Sequence, residues 1–143
     1  MSFFSTSKTL TYAGIIPFFL LTWLMLYQTD AQDIFAFLYL IYGGFITSFL
    51  AGTHWKQAIE KNDRGLQYLC MLPTILGVLI IILGMVFNPV WMLPMLMIMF
   101  VWLYRLDARL SGNLGDAYLK LRRNITVLLC TFIIISFAVS YDF

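Results

Sequence analysis

The chain has 143 residues, of which 62% are hydrophobic and only 11% are charged. A soluble domain is about 45–50% apolar and about 25% charged, and a small domain has too little interior to bury the excess apolar surface. The composition therefore excludes an ordinary soluble fold and predicts one all-α integral membrane domain over residues 1–143. Two cysteines, Cys70 and Cys130, are too few for a disulfide framework or a zinc site, so no metal is predicted.

The first two membrane spans are predicted over residues 10–27 and 34–55. A helix needs about 20 mostly apolar residues to cross a bilayer, and both segments meet that need. The first is longer than the apolar core of a signal peptide and lacks a small-residue cleavage pattern, so we expect it to be retained. Pro17 lies within it and predicts a kink.

The stretch 65–104 carries no formal charge and is too long for a single span. Asn88 and Pro89 near its middle form a turn signal. The stretch is therefore divided into a third span over 66–87 and a fourth over 90–104. The fourth is short, and we expect it to continue past Tyr104 with Arg105 reaching the interface.

The longest polar stretch, 105–123, precedes the last apolar segment. Apolar and aromatic residues recur in it at spacings of three and four, namely Leu114, Ala117, Tyr118, Leu121 and Ile125. That pattern is typical of an amphipathic helix. We expect a short interfacial helix over 113–123, capped by Asn113 and lying on the membrane surface, and then a fifth span over 124–141.

The distribution of basic residues predicts the orientation, because cytoplasmic loops carry the excess of Lys and Arg. With five crossings, all nine Lys and Arg residues fall on one side, together with the N-terminus. The other side carries Asp30, Asp33 and Asp142. The chain is therefore predicted to have its N-terminus inside and its C-terminus outside, in a bacterial cytoplasmic (inner) membrane, or in the mitochondrial inner membrane if it is eukaryotic.

The residues best suited to chemistry lie at the cytosolic side in this topology. His54, the only histidine, closes the second span beside Trp55, and Asp107 follows the fourth span. Tyr118 and Arg122 are four residues apart, and such a pair can bind a lipid phosphate or carboxylate. These five residues form the candidate cluster. The alternative for each is an ordinary role at the interface, as a hydrogen-bonded histidine, a salt bridge or an anchor to headgroups.

Small residues recur every four positions in the second span, at Gly44, Ser48 and Gly52. This spacing lets two helix backbones approach closely, so it predicts tight packing within the bundle or a homodimer seam. No acidic or basic residue lies in the middle of a span, which argues against an ion-coupled transporter.

Several short patterns together resemble the transmembrane protein 69 family, a group of small bacterial and mitochondrial membrane proteins of unknown function. The most specific is Y-G-x-x-x-x-S-F-L-x-G-x-H-W over residues 42–55. Weaker matches are G-x-x-P-F at Gly14, a third-span proline at Pro73, Asp107 after the fourth span, and a final motif that includes Tyr118, Leu121, Arg122 and Thr126. Ala117 and Ile125 depart from that final motif, and the proline that often precedes it is absent. The resemblance implies membrane residence and a gathering of these positions at the cytosolic side, without an established activity.

Three functions fit these observations. The leading hypothesis is a non-catalytic accessory or assembly factor, or a lipid-binding protein. The second is an interfacial enzyme or a protein that binds quinone or haem through His54, Asp107 and Arg122, and the third is a small transporter. The sequence requires no cofactor. The expected partners are membrane lipids, with a larger membrane complex or a homo-oligomer as possibilities, and no nucleic acid.

Overall fold

The computed structural model describes residues 3–110 and 116–141, and all regular structure in these ranges is helical. The α-helices there are α1 (Phe3–Ala13), α2 (Ile16–Tyr27), α3 (Gln32–Glu60), α4 (Arg64–Val86), α5 (Leu93–Leu110) and α6 (Asp116–Tyr141), with 3-10 turns at Thr29–Ala31 and Pro89–Met92. Five segments of the described chain are long and apolar enough to cross a membrane: Lys8–Tyr27, Thr29–Glu60, Arg64–Val86, Pro89–Arg109 and Ala117–Ser140. The predicted all-α bundle with five spans is confirmed.

The first span is broken near Pro17. Proline lacks an N–H and its ring clashes with the carbonyl four residues earlier, and α1 ends at that residue, Ala13. Pro17 then lies in the first turn of α2, where its missing N–H costs nothing. The break leaves the Gly14 carbonyl free to accept a hydrogen bond of 2.8 Å from the Tyr42 hydroxyl of α3.

Replacing Tyr42 by phenylalanine is expected to lower the free energy of unfolding by about 1 kcal/mol, because the Gly14 carbonyl loses its donor. The measurement is unfolding of the purified protein in mixed micelles, followed by circular dichroism. The same change at the exposed Tyr68 serves as the control and should have no effect. Equal stability of the two variants would contradict a role of Tyr42 at the break.

Local side-chain caps set the turns around α4. Asp63 accepts a hydrogen bond from the Leu66 N–H and caps the start of α4, just after Asn62 adopts a left-handed backbone conformation. At the other end, Asn88 accepts from the Val90 N–H and opens the 3-10 turn at Pro89–Met92. The structure therefore has a turn at Asn88 and Pro89. Helix α5 continues beyond Tyr104 to Leu110.

The predicted surface helix over 113–123 is not a separate element. Its described part and the fifth span form one continuous helix, α6 (Asp116–Tyr141), while residues 113–115 lie outside the described residues. The positive charge of Arg122 suggested a position at the membrane interface, but Asp107 neutralises this charge within the protein. The apolar face then continues without interruption through the buried residues Leu121, Ile125, Leu129 and Ile133.

Helix α3 is central, packing against α2, α4 and α5, whereas α6 packs against α2 and α5. The α3–α4 crossing is tight: a Cβ atom built on Gly77 would lie 3.0 Å from the Thr47 hydroxyl oxygen and 3.9 Å from the Gly44 Cα. Of the predicted small-residue stripe, Gly44 therefore lies against α4. Ser48 is exposed, and a Cβ built on Gly52 would meet no atom within 4 Å. The reason is that a spacing of four drifts by about 40° per step around a helix.

Candidate functional site

A buried carboxylate joins three helices at the end of the bundle where α3 and α5 end and α6 begins, here called the basic end. Asp107 of α5 contacts His54 of α3 through its Oδ1, 2.9 Å from the histidine Nε2. On α6, Arg122 donates from Nε to Asp107 Oδ2 at 2.5 Å, and the Tyr118 hydroxyl lies 3.3 Å from Asp107 Oδ1. These four residues are the carboxylate cluster.

Each helix brings its member of the cluster inward on an apolar face. On α3, His54 lies between the buried Ala51 and Ala58, and Asp107 follows the buried Leu103 and Leu106 on α5. The spacing of four between Tyr118 and Arg122 puts both on one face of α6. The amphipathic spacing that packs the bundle therefore also aligns the polar groups.

Three members of the cluster are almost fully removed from solvent, and Tyr118 is half-buried. The exposed fraction is 1% for His54 and Asp107 and 8% for Arg122. An ionised carboxylate only accepts hydrogen bonds, so His54 donates to Asp107 through Nε2. The other ring nitrogen of His54, Nδ1, takes no part in this hydrogen bond. The ion pair with Arg122 cancels the charge of Asp107, so with a neutral His54 the cluster has no net charge.

Two buried polar atoms near the cluster have no hydrogen-bond partner within the described residues. They are Nδ1 of His54 and Oε1 of Gln57, which lie three residues apart on α3. A buried polar atom without a partner costs about 1–3 kcal/mol. These atoms therefore indicate that a further group, beyond the described residues, completes the site.

A cleft of about 580 Å³ adjoins the cluster and is lined by α1, α2, α3, α5 and α6. Most of its wall is apolar, including Phe18, Leu50 and Ile125. Its polar lining comes from six side chains, namely Thr11, Thr53, Gln57, Tyr118, Arg122 and Thr126. Tyr118 and Arg122 belong to both the cleft and the cluster, so a molecule in the cleft would meet the guanidinium and the phenol directly.

Of the candidate residues from the sequence, the structure brings His54, Asp107, Tyr118 and Arg122 together. Trp55 lies outside, with 44% of its surface exposed, because adjacent residues of a helix point about 100° apart. The sequence reasoning missed Gln57. Its position one helical turn after His54 was the signal that it shares the inner face of α3.

Within the described ranges, no group of three or more His, Cys, Asp or Glu residues is placed to hold a metal ion. Cys70 is buried and Cys130 is half-buried, and neither forms a disulfide. The donors that line the cleft are hydroxyl, amide and guanidinium groups. Such donors recognise the polar head of an organic molecule better than they bind a transition metal.

Comparison with protein families gives one match, which covers residues 4–138 and carries the description "Protein of unknown function (DUF3429)". Comparison with curated proteins gives no match. Comparison with solved structures gives none either.

Proposed function

The chain belongs to the DUF3429 family of proteins of unknown function, and we propose that it is a non-catalytic membrane protein that binds one amphiphile in the cleft. The observation that carries the proposal is an apolar cleft of about 580 Å³ that is also lined by the hydrogen-bond donors Arg122 and Tyr118. Ligand sites of about 300–1,000 Å³ with apolar walls and a few convergent polar groups are typical of small-molecule binding.

The membrane setting of the proposal follows from the charge pattern. All nine basic residues lie in the N-terminal segment or in the polar stretches around 56–64 and 105–123. By the positive-inside rule these face the cytoplasm, which places the carboxylate cluster at the inner face of a bacterial cytoplasmic membrane, or of the mitochondrial inner membrane. The proposal extends to a likeness with the transmembrane protein 69 family, whose motif resembles residues 42–55 of this chain.

The polar lining favours an uncharged head that both donates and accepts hydrogen bonds. Arg122 has five N–H donors and uses Nε on Asp107, so its remaining donors suit a hydroxyl or carbonyl oxygen. Gln57 Oε1 is buried and needs a donor. Because Asp107 already neutralises Arg122, an anionic head gains less binding free energy from this site than a head with a hydroxyl group. Glycerolipids and quinols carry such hydroxyl groups.

The cluster itself suits a structural role better than a catalytic one. Asp107 is held by three partners from two other helices, and a general base has to reach the proton that it abstracts. His54 is buried and does not line the cleft. The cluster therefore fixes Tyr118 and Arg122 in position, and binding of the amphiphile is their function.

A variant that fills the cleft tests the proposal. Leu50 lines the cleft, and Leu38 lies on the same helix with 44% of its surface exposed. We expect native mass spectrometry of the protein in mild detergent to show one bound amphiphile per chain. Leu50→Trp should reduce the bound fraction about tenfold or more, because the indole occupies the space of the hydrocarbon chain. The matched control Leu38→Trp should retain the ligand.

The mass of the adduct separates the possible ligands and roles. A glycerolipid mass supports lipid binding, and a quinone mass supports the cofactor-binding alternative in the same cleft. A bare chain, or equal retention by both tryptophan variants, would contradict a specific cleft ligand. A mass that matches a complex with another protein would instead favour an accessory subunit.

A further inference from the structure

A second pocket lies at the basic end, on a different face of α6. It has a volume of about 310 Å³ and is lined by Tyr104 of α5 and by Leu119, Lys120 and Arg123 of α6. Adjacent residues of a helix are rotated by about 100°, so Arg123 points away from the cluster that Arg122 joins. The four lining residues are here called the basic pocket.

The cations of the basic pocket differ from Arg122 in being exposed. Neither Lys120 nor Arg123 forms a salt bridge with a side chain that the structure describes. They are three positions apart, so they are neighbours on the helix surface and repel each other. An anion bound between them would remove this repulsion.

The pocket has the donors of a phosphate site at the depth of the lipid headgroups. It combines an ammonium, a guanidinium and a tyrosine side chain, and none of the described residues that line it is acidic. It lies where the span Pro89–Arg109 ends and the span Ala117–Ser140 begins. Basic pockets between transmembrane helices on the cytoplasmic side bind the headgroups of anionic lipids.

We infer that the basic pocket binds the phosphate of an anionic phospholipid. The inference does not depend on the ligand of the cleft, because the two sites share no residue. The difference in charge separates their ligands: the cleft presents a guanidinium that Asp107 neutralises, whereas the basic pocket presents two exposed cations that pair with no described side chain. Under the two proposals together, one chain binds two ligands whose heads differ in charge.

The test compares retention of phosphatidylglycerol and phosphatidylcholine by native mass spectrometry. The full chain, with defined amounts of either lipid added in mild detergent, should bind phosphatidylglycerol more tightly. Lys120→Gln/Arg123→Gln should weaken that binding about tenfold or more, since each basic side chain contributes roughly a fivefold factor near an anionic surface. Tyr104→Phe, which removes only a hydroxyl, should weaken it by a smaller factor.

The control removes two other exposed basic side chains, with Lys56→Gln in the last turns of α3 and Lys61→Gln in the segment between α3 and α4. Its phosphatidylglycerol affinity should stay within about twofold of the unmodified protein. An equal loss in both double variants would show a general effect of net charge and would overturn the site, as would no loss in either. Displacement of the lipid by millimolar inorganic phosphate would overturn the assignment to a lipid headgroup.

Discussion

Replacing Asp107 by asparagine is expected to lower the free energy of unfolding by about 3–5 kcal/mol. The change removes the one acid that neutralises Arg122, and a buried charge left without its partner is strongly destabilising. It also removes the carboxylate that binds His54 and Tyr118. The measurement is unfolding in mixed micelles with increasing sodium dodecyl sulfate, followed by circular dichroism.

Two further variants show whether the loss arises from the cluster. Asp30→Asn changes an exposed acid in the 3-10 turn that precedes α3, far along that helix from His54, and should shift stability by less than about 0.5 kcal/mol. Adding Arg122→Met to Asp107→Asn should restore part of the stability, because the second change removes the uncompensated charge. If Asp107→Asn stayed within about 1 kcal/mol of the unmodified protein, the cluster would not hold the bundle together.

The second large effect is expected at the α3–α4 crossing. Replacing Gly77 by leucine should lower the free energy of unfolding by about 3 kcal/mol, because the side chain has to fit between Thr47 and the backbone of Gly44. Helix α4 packs mainly on α3, so it has few other contacts that would compensate for separation of the pair. The same titration in mixed micelles measures the change.

The control for the crossing is Gly52→Leu, on α3. A Cβ at Gly52 meets no atom within 4 Å, so leucine should leave stability unchanged or raise it by up to about 1 kcal/mol through its better helix propensity. A comparable loss in both variants would contradict close packing at Gly77. A loss at Gly52 alone would instead indicate that this face contacts a second copy of the chain.

The helical bundle can be predicted from the sequence, because a long apolar segment has few stable conformations in lipid. Backbone groups in a bilayer have to be paired within each segment, so long apolar runs become helices. Pro17 and Asn88 mark breaks through local chemistry, which a sequence shows directly. The continuity of α6 does not follow in this way, because the residue that neutralises Arg122 is Asp107 on another helix.

The sequence predicts at which end of the bundle the candidate site lies, but it does not predict which of the side chains contact one another. The positions of the spans place His54, Asp107 and Arg122 at one end. Whether they meet depends on the rotation of three helices, which is set by packing along their whole length. Trp55 shows the difficulty, because it adjoins His54 in sequence and faces outward.

The order in which the chain is made sets the order in which the carboxylate cluster can form. Synthesis proceeds from the N-terminus, so His54 of α3 and Asp107 of α5 are made before Tyr118 and Arg122 of α6. Until then the carboxylate lacks its guanidinium partner. The ion pair that joins α5 to α6 can therefore form only after α6 has been made.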